Sequence, residues 1–209
     1  QVSQQDERTA WDPKSLFRDS EERYLDYEIS FIDWTGFFYS LLYVFYLGFY
    51  AAQNTNRGRA ESLVSAQAWV LSTFIGCLFF ILLPADIDLR WQLVDAGGLE
   101  GRYAIFYKFI HAIDKPFNAW PCLHIGTSLI FAVALTRWWF QRECNWAVYL
   151  LWPAWLGLSI SVLTTKQHFI WDAITGTLLG LAIWLGVMRP AFRYLDSVPD
   201  EELPLVKLD

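Results

Sequence analysis

The sequence predicts an all-α fold, a polytopic membrane helical bundle of about five transmembrane helices. Three observations carry this expectation. Hydrophobic residues fill 55% of the 209 positions, and they gather in long blocks rather than in the amphipathic stripes of a soluble helical domain. Each block approaches the roughly 20 residues that a helix needs to cross a bilayer at about 1.5 Å per residue. Trp and Tyr crowd the block ends, as at Trp34, Trp138, Trp139, Trp146 and Trp171, where an amphipathic ring sits at head-group level.

Taken in chain order, residues 1–28 form a polar leader with a surface helix expected near Ser15 to Tyr27. Asp19, Glu21, Glu22, Asp26 and Glu28 crowd the approach to the first block, and with a formal charge of −6 this disfavours nucleic acid as a partner. No basic stretch precedes an apolar one at the start, so insertion is expected to rely on the first span or on sequence ahead of Gln1. A membrane-embedded domain is expected over 29–190, with spans at Trp34–Ala52, Leu63–Pro84, Cys122–Phe140, Trp146–Thr165 and Phe169–Met188. Residues 191–209 read as a polar tail. The connection from Ala85 to Trp120 is long for a compact bundle, which marks it as structured or functional. Within it Phe106, Phe109, Ile110 and Ile113 fall on helical spacing between Gly97-Gly98 and Pro116, so a short interfacial helix is expected there.

Five alternating spans place the end of the second, the start of the third, the end of the fourth and the start of the fifth on one side of the membrane. His124 and His168 can therefore meet. The short loops on the other side carry Arg57, Arg59, Arg137 and Arg142 against Glu61 and Glu143, the pattern of a cytoplasmic face. The histidine side is accordingly expected to be extracytoplasmic or luminal. Cys77, Cys122 and Cys144 lie far apart without ligand spacing, so neither a zinc site nor a disulfide framework is indicated.

His168 and Asp172 are four residues apart at a helix start, on one face, where the carboxylate can accept a proton from the imidazole. Such a partner leaves the other ring nitrogen free to act as nucleophile or base. The plainer account is a structural hydrogen bond at a helix start, and for an isolated pair the two accounts weigh equally. His124 follows Pro121, a residue suited to a first helical turn, at a second helix mouth whose unpaired amides suit an anion, phosphate above all. One such histidine is ordinarily an interfacial residue; two mouths on one side point to a site.

The stretches FNAWPCLHIG and SVLTTKQHFIWDAITG together resemble the type-2 phosphatidic acid phosphatase superfamily, whose second motif is Pro-Ser-x-His and whose third ends in His-x-x-x-Asp. The resemblance covers roughly Leu63 to Met188 and is nearest the branch with Phe-Pro-Ser-Leu-His, which includes bacterial lipid phosphatases and resembles the inositol phosphorylceramide synthases. It implies His168 as the nucleophile that becomes phosphohistidine, His124 as the acid that protonates the leaving oxygen, and Asp172 as the partner of His168. It further implies a phospholipid or other lipid phosphate as substrate, membrane lipids as surroundings, and no metal or other cofactor.

The departures fall on the phosphate clamp. Ser161 is kept, but Val162 stands where the third motif has arginine. Cys122 replaces the serine of the second motif, which loses a hydroxyl while its backbone amide is expected to remain for phosphate. The first motif, Lys-x6-Arg-Pro, has no clean match: Arg90 falls at the right place after the second span, with Trp91 for the Pro and Leu83 for the Lys, while Lys108 and Lys115-Pro116 imitate the spacing only. Arg90, Lys166 and Lys115 are therefore the candidate phosphate-binding cations, each weighed against an anchoring role at a helix end. Hydrolysis of a lipid phosphate is the first expectation, transfer of a phospho-head group to a lipid acceptor the second, and a non-catalytic relative with a decayed clamp the third.

Overall fold

The computed structural model bears out the helical bundle and describes residues 24–50, 55–85, 87–114 and 119–203. After a one-turn helix at Leu25–Glu28 and a short turn at Asp33–Thr35, the chain forms α1 (Gly36–Tyr50), α2 (Asn56–Leu82), α3 (Arg90–Asp95), α4 (Ala104–Ile113), α5 (Leu123–Gln141), α6 (Asn145–Thr164) and α7 (Ile170–Ser197). Among the described residues four helices, α2, α5, α6 and α7, are long and apolar enough to cross a membrane. The expected first span is the 15-residue α1, shorter than a full crossing, yet it packs against both α5 and α6 as a member of the bundle. The surface helix expected near Ser15 falls largely outside the described residues.

Two helices overrun their expected limits for local reasons. α2 starts at Asn56 rather than Leu63, because the Thr55 side chain accepts from the Gly58 amide and caps a polar first turn. α7 continues past Met188 through a widened turn at Trp184–Met188, and its extension buries Phe192 and Leu195 against Ala68 of α2 and Ile130 of α5.

The core sits around α5. One of its sides joins Tyr39, Leu42 and Phe45 of α1 to Leu151, Leu158 and Val162 of α6; the other meets α2 and α7. Hydrogen bonds from Tyr46 to Thr127 (3.0 Å, either hydroxyl donating) and from the Trp155 indole to Ser128 (3.1 Å) tie α1 and α6 to it. Such bonds fix helix rotation where lipid supplies no competing water.

α5 and α7 touch backbone to backbone. A Cβ added at Gly126 would come within 2.9 Å of the Gly176 carbonyl oxygen, and one at Gly180 within 2.8 Å of the Gly126 carbonyl oxygen. Small residues at this seam let the two helix starts converge. At the opposite end Arg137 of α5 pairs with Glu61 of α2 and Asp196 of α7, and Arg57 pairs with Asp200.

The interfacial helix expected around Phe106 is α4. It is preceded by α3, a six-residue helix within the connection expected from Ala85 to Trp120. α3 stops where Gly97 (φ +74°) and Gly98 donate to the carbonyls of Val94 and Leu93, a turn that needs the left-handed backbone of glycine. The Tyr107 hydroxyl then donates to the Asp33 carbonyl at 2.6 Å, fastening α4 over the start of α1.

Candidate active site

The segment Thr164–Phe169 between α6 and α7 is buried throughout, although most of its side chains are polar. It is held by backbone bonds. The amides of Gln167 and His168 both donate to the Val162 carbonyl at 3.1 Å, and the Ile32 amide donates to the Thr164 carbonyl at 3.0 Å. Lys166 takes a left-handed backbone (φ +60°), which lets the loop reverse into α7.

This loop delivers His168 to His124. Nε2 of His168 lies 3.2 Å from Nδ1 of His124, the first turn of α5 facing the entry to α7. His168 Nδ1 lies 3.1 Å from the Ala119 carbonyl, which can only accept, so Nδ1 carries hydrogen. Asp172 Oδ2 is 3.5 Å from the same nitrogen and also accepts from the Phe169 amide at 2.9 Å. Burial disfavours the His168 cation, but Cys122 and Asp172 outweigh it and hold its pKa well above the usual imidazole range.

His124 has a second partner that sequence reasoning missed. Its Nε2 meets the Tyr39 hydroxyl of α1 at 2.8 Å, and that hydroxyl lies 3.5 Å from Asp114 Oδ2. Arg90 donates from Nη1 to the Asp114 carbonyl at 2.9 Å, and its Nη2 is 3.9 Å from the Asp114 carboxylate. A line of polar groups thus runs from Arg90 through Asp114 and Tyr39 to both histidines. Tyr39 is one of ten tyrosines, and nothing in its local sequence separates it from the rest. His111 was likewise missed: it reaches the loop at Gln167 Nε2 (3.4 Å), with its pKa lowered by burial and then by Arg90.

The remaining candidates separate. Arg90 joins the cluster through Asp114. Lys166 is buried and donates to the Asp26 carbonyl at 3.0 Å, so the contact it makes is with the one-turn helix, and burial lowers its pKa. Lys115 lies outside the described residues, and Lys108 is exposed. Val162, at the clamp position, is buried in the apolar core among Leu158 and Ile125.

Cys122 caps the start of α5 from its backbone, with its side chain buried. Its amide donates to the Asp172 carbonyl at 3.0 Å, which corrects the expectation that this amide is left for phosphate. The α7 start is closed to an anion, since Asp26 accepts from the Ile170 amide at 2.7 Å and Asp172 from that of Phe169. The α5 start carries no side-chain cap. Of the two mouths, the one bearing His124 suits an anion electrostatically.

A family model described as the PAP2 superfamily matches residues 20–186. No curated protein and no solved structure matches the chain.

Proposed function

This chain belongs to the PAP2 superfamily, a family of phosphatase-type lipid enzymes, and on that premise we propose that it is an integral membrane lipid phosphatase working through a phosphohistidine on His168. The substrate is a lipid phosphate monoester or pyrophosphate. One observation carries the reading: two imidazoles, one from the first turn of α5 and one from the loop that enters α7, meet at 3.2 Å, the second backed by a carboxylate.

The hydrogen-bond pattern supports a division of labour. With Nδ1 hydrogen held by Ala119 and Asp172, Nε2 is the nitrogen of His168 left for chemistry. A single proton shared by the pair can sit on His168 Nε2 or on His124 Nδ1. Its transfer to His124 makes a neutral nucleophile and a loaded general acid at once. In-line attack requires the substrate phosphate to part the two rings from their 3.2 Å contact.

In the first step the His168 Nε2 lone pair forms a bond to phosphorus, the bond from phosphorus to the lipid oxygen breaks, and His124 protonates that oxygen. In the second, water attacks the phosphohistidine, gives a proton to His124 and releases phosphate. The uncapped first turn of α5 and the Arg90 guanidinium supply positive potential for the phosphoryl oxygens. The arginines of the opposite loops support an extracytoplasmic or luminal active site.

Rapid-quench labelling tests the reading with a lipid phosphate labelled in its phosphate, in EDTA. The parent is expected to show an acid-labile adduct, His168→Ala none, and His124→Ala some adduct from a substrate with a good leaving group, because a general acid worth about 10² to 10⁴ in rate matters least there. Label that persists in His168→Ala and disappears in His124→Ala reverses the two roles. Label in none of the proteins overturns the reading, and label that passes to a lipid hydroxyl rather than water moves the enzyme to head-group transfer.

A further inference from the structure

We propose that Cys122, His124 and His168 form a binding site for a soft divalent cation, Zn²⁺ or Cd²⁺, and that its occupancy silences the enzyme. The Cys122 sulfur and one nitrogen of each imidazole all lie within 4.8 Å of one another. The facing nitrogens of the two histidines are 3.2 Å apart. Two nitrogens on a tetrahedral zinc at about 2.0 to 2.1 Å lie roughly 3.3 Å from each other, so the pair already spans one edge of such a site.

The surroundings match what a ligating imidazole requires. Such a histidine turns its second ring nitrogen to an oxygen that fixes the tautomer. Here both do: His168 Nδ1 is held by the Ala119 carbonyl and the Asp172 carboxylate, and His124 Nε2 by the Tyr39 hydroxyl. The two inner nitrogens, facing each other at 3.2 Å, are thereby the ones left free to ligate. A thiolate and two imidazoles select Zn²⁺ or Cd²⁺ over Mg²⁺ or Ca²⁺, which prefer oxygen, and three protein ligands leave a fourth position for water.

Binding displaces the thiol proton and the proton shared by the histidines, and both leave to solvent. With both inner lone pairs on the metal, neither attack on phosphorus nor protonation of the leaving oxygen is possible. The cation site stands on three side chains alone, whereas the silencing rests on the phosphatase reading above. Cys122 is the residue that sets this chain apart, since serine is the residue in the motif it resembles and a neutral hydroxyl is a poor zinc ligand.

The full chain in detergent, with Cys77→Ser and Cys144→Ser as background, isolates the third thiol. Titration with Cd²⁺ is expected to raise an ultraviolet thiolate-to-metal charge-transfer band that saturates at a single ion per chain. Cys122→Ser in that background removes the band, and His124→Ala weakens the affinity by at least about tenfold, as losing even an outer partner of a ligand does. Absence of the band in the background protein, or a band that neither His124→Ala nor His168→Ala weakens, overturns the site. Cd²⁺ is also expected to raise the melting temperature of the background protein and not that of the Cys122→Ser variant, which guards against reading a misfolded variant as a lost ligand. Zn²⁺ should then inhibit parent turnover, Mg²⁺ should not, and EDTA should restore it. Bound Cd²⁺ with undiminished turnover overturns the silencing, while a protein inactive even in EDTA overturns the phosphatase reading and leaves the band to decide the cation site.

Discussion

His124 is held from both sides, by Tyr39 at one ring nitrogen and His168 at the other, so side chains rather than solvent govern its protons. Tyr39→Phe removes that hold and keeps the ring. A hydrogen bond of about 0.5 to 1.5 kcal/mol implies a loss of roughly twofold to tenfold, expected in kcat with KM unchanged because Tyr39 contacts His124, the proposed acid. Steady-state kinetics check it, and equal kcat in parent and variant would remove Tyr39 from the relay. The pH dependence follows from His168. Cys122 and Asp172 raise its pKa, so the pair keeps its shared proton as pH climbs through the ordinary imidazole value of about 6.5, and activity falls only above the raised value. Asp172→Asn takes away the carboxylate that helps to raise it, so the alkaline limb of kcat/KM in EDTA is expected at lower pH. A limb that stays in place or moves upward contradicts the assignment. At the clamp, Arg90→Ala is expected to cost about tenfold to a hundredfold, as a charged contact of roughly 1.5 to 3 kcal/mol implies, and the exposed Lys108→Ala little. The reverse order would point to Lys108 and Lys115 as the cation pair.

Between elements, the α5–α7 seam decides whether the histidines meet. Gly176 faces the backbone carbonyl of Cys122, two residues before His124 in the chain, and a Cβ there collides with a group that cannot rotate away. Gly186, on the same helix, has open space at its Cβ. Gly176→Ala is expected to destabilise the fold by about 1 to 3 kcal/mol and to lower activity, with Gly186→Ala near neutral. Thermal unfolding and turnover of both variants provide the check, and equal behaviour would mean that the seam opens without consequence. The two helix starts also differ in charge. α7 is capped by the carboxylates of Asp26 and Asp172 and α5 by no side chain, so only the α7 start carries carboxylates that oppose an anion.

For the whole molecule, the described chain begins at the histidine end, where Ile32 bonds Thr164, and leaves at the other, where Asp200 meets Arg57. Gln1 and Asp209 are therefore expected on opposite faces. Labelling of each terminus in sealed vesicles checks this, and two labels on one face would mean that α1 does not complete a crossing. The pairing of Arg57 and Arg137 with Asp196, Asp200 and Glu61 gives those arginines a structural task. Acids contribute little to membrane orientation, so this pairing does not change the side expected for those arginines.

The sequence by itself determined the long apolar helices, since in lipid the backbone must satisfy its hydrogen bonds within the segment, and block length follows directly. It also determined α4 from its spacing and the His168–Asp172 face, both being relations within one or two helical turns. Only the tertiary structure decided Tyr39, which lies 85 residues from the histidine it touches, the turn of Lys166 toward Asp26, the use of the Cys122 amide by Asp172, and the approach of the Cys122 sulfur to two imidazoles. These depend on how each helix is rotated and how closely two backbones can pass. Such quantities arise from packing across the whole bundle, where residues far apart in the chain share a few ångströms of space, and no local pattern encodes them.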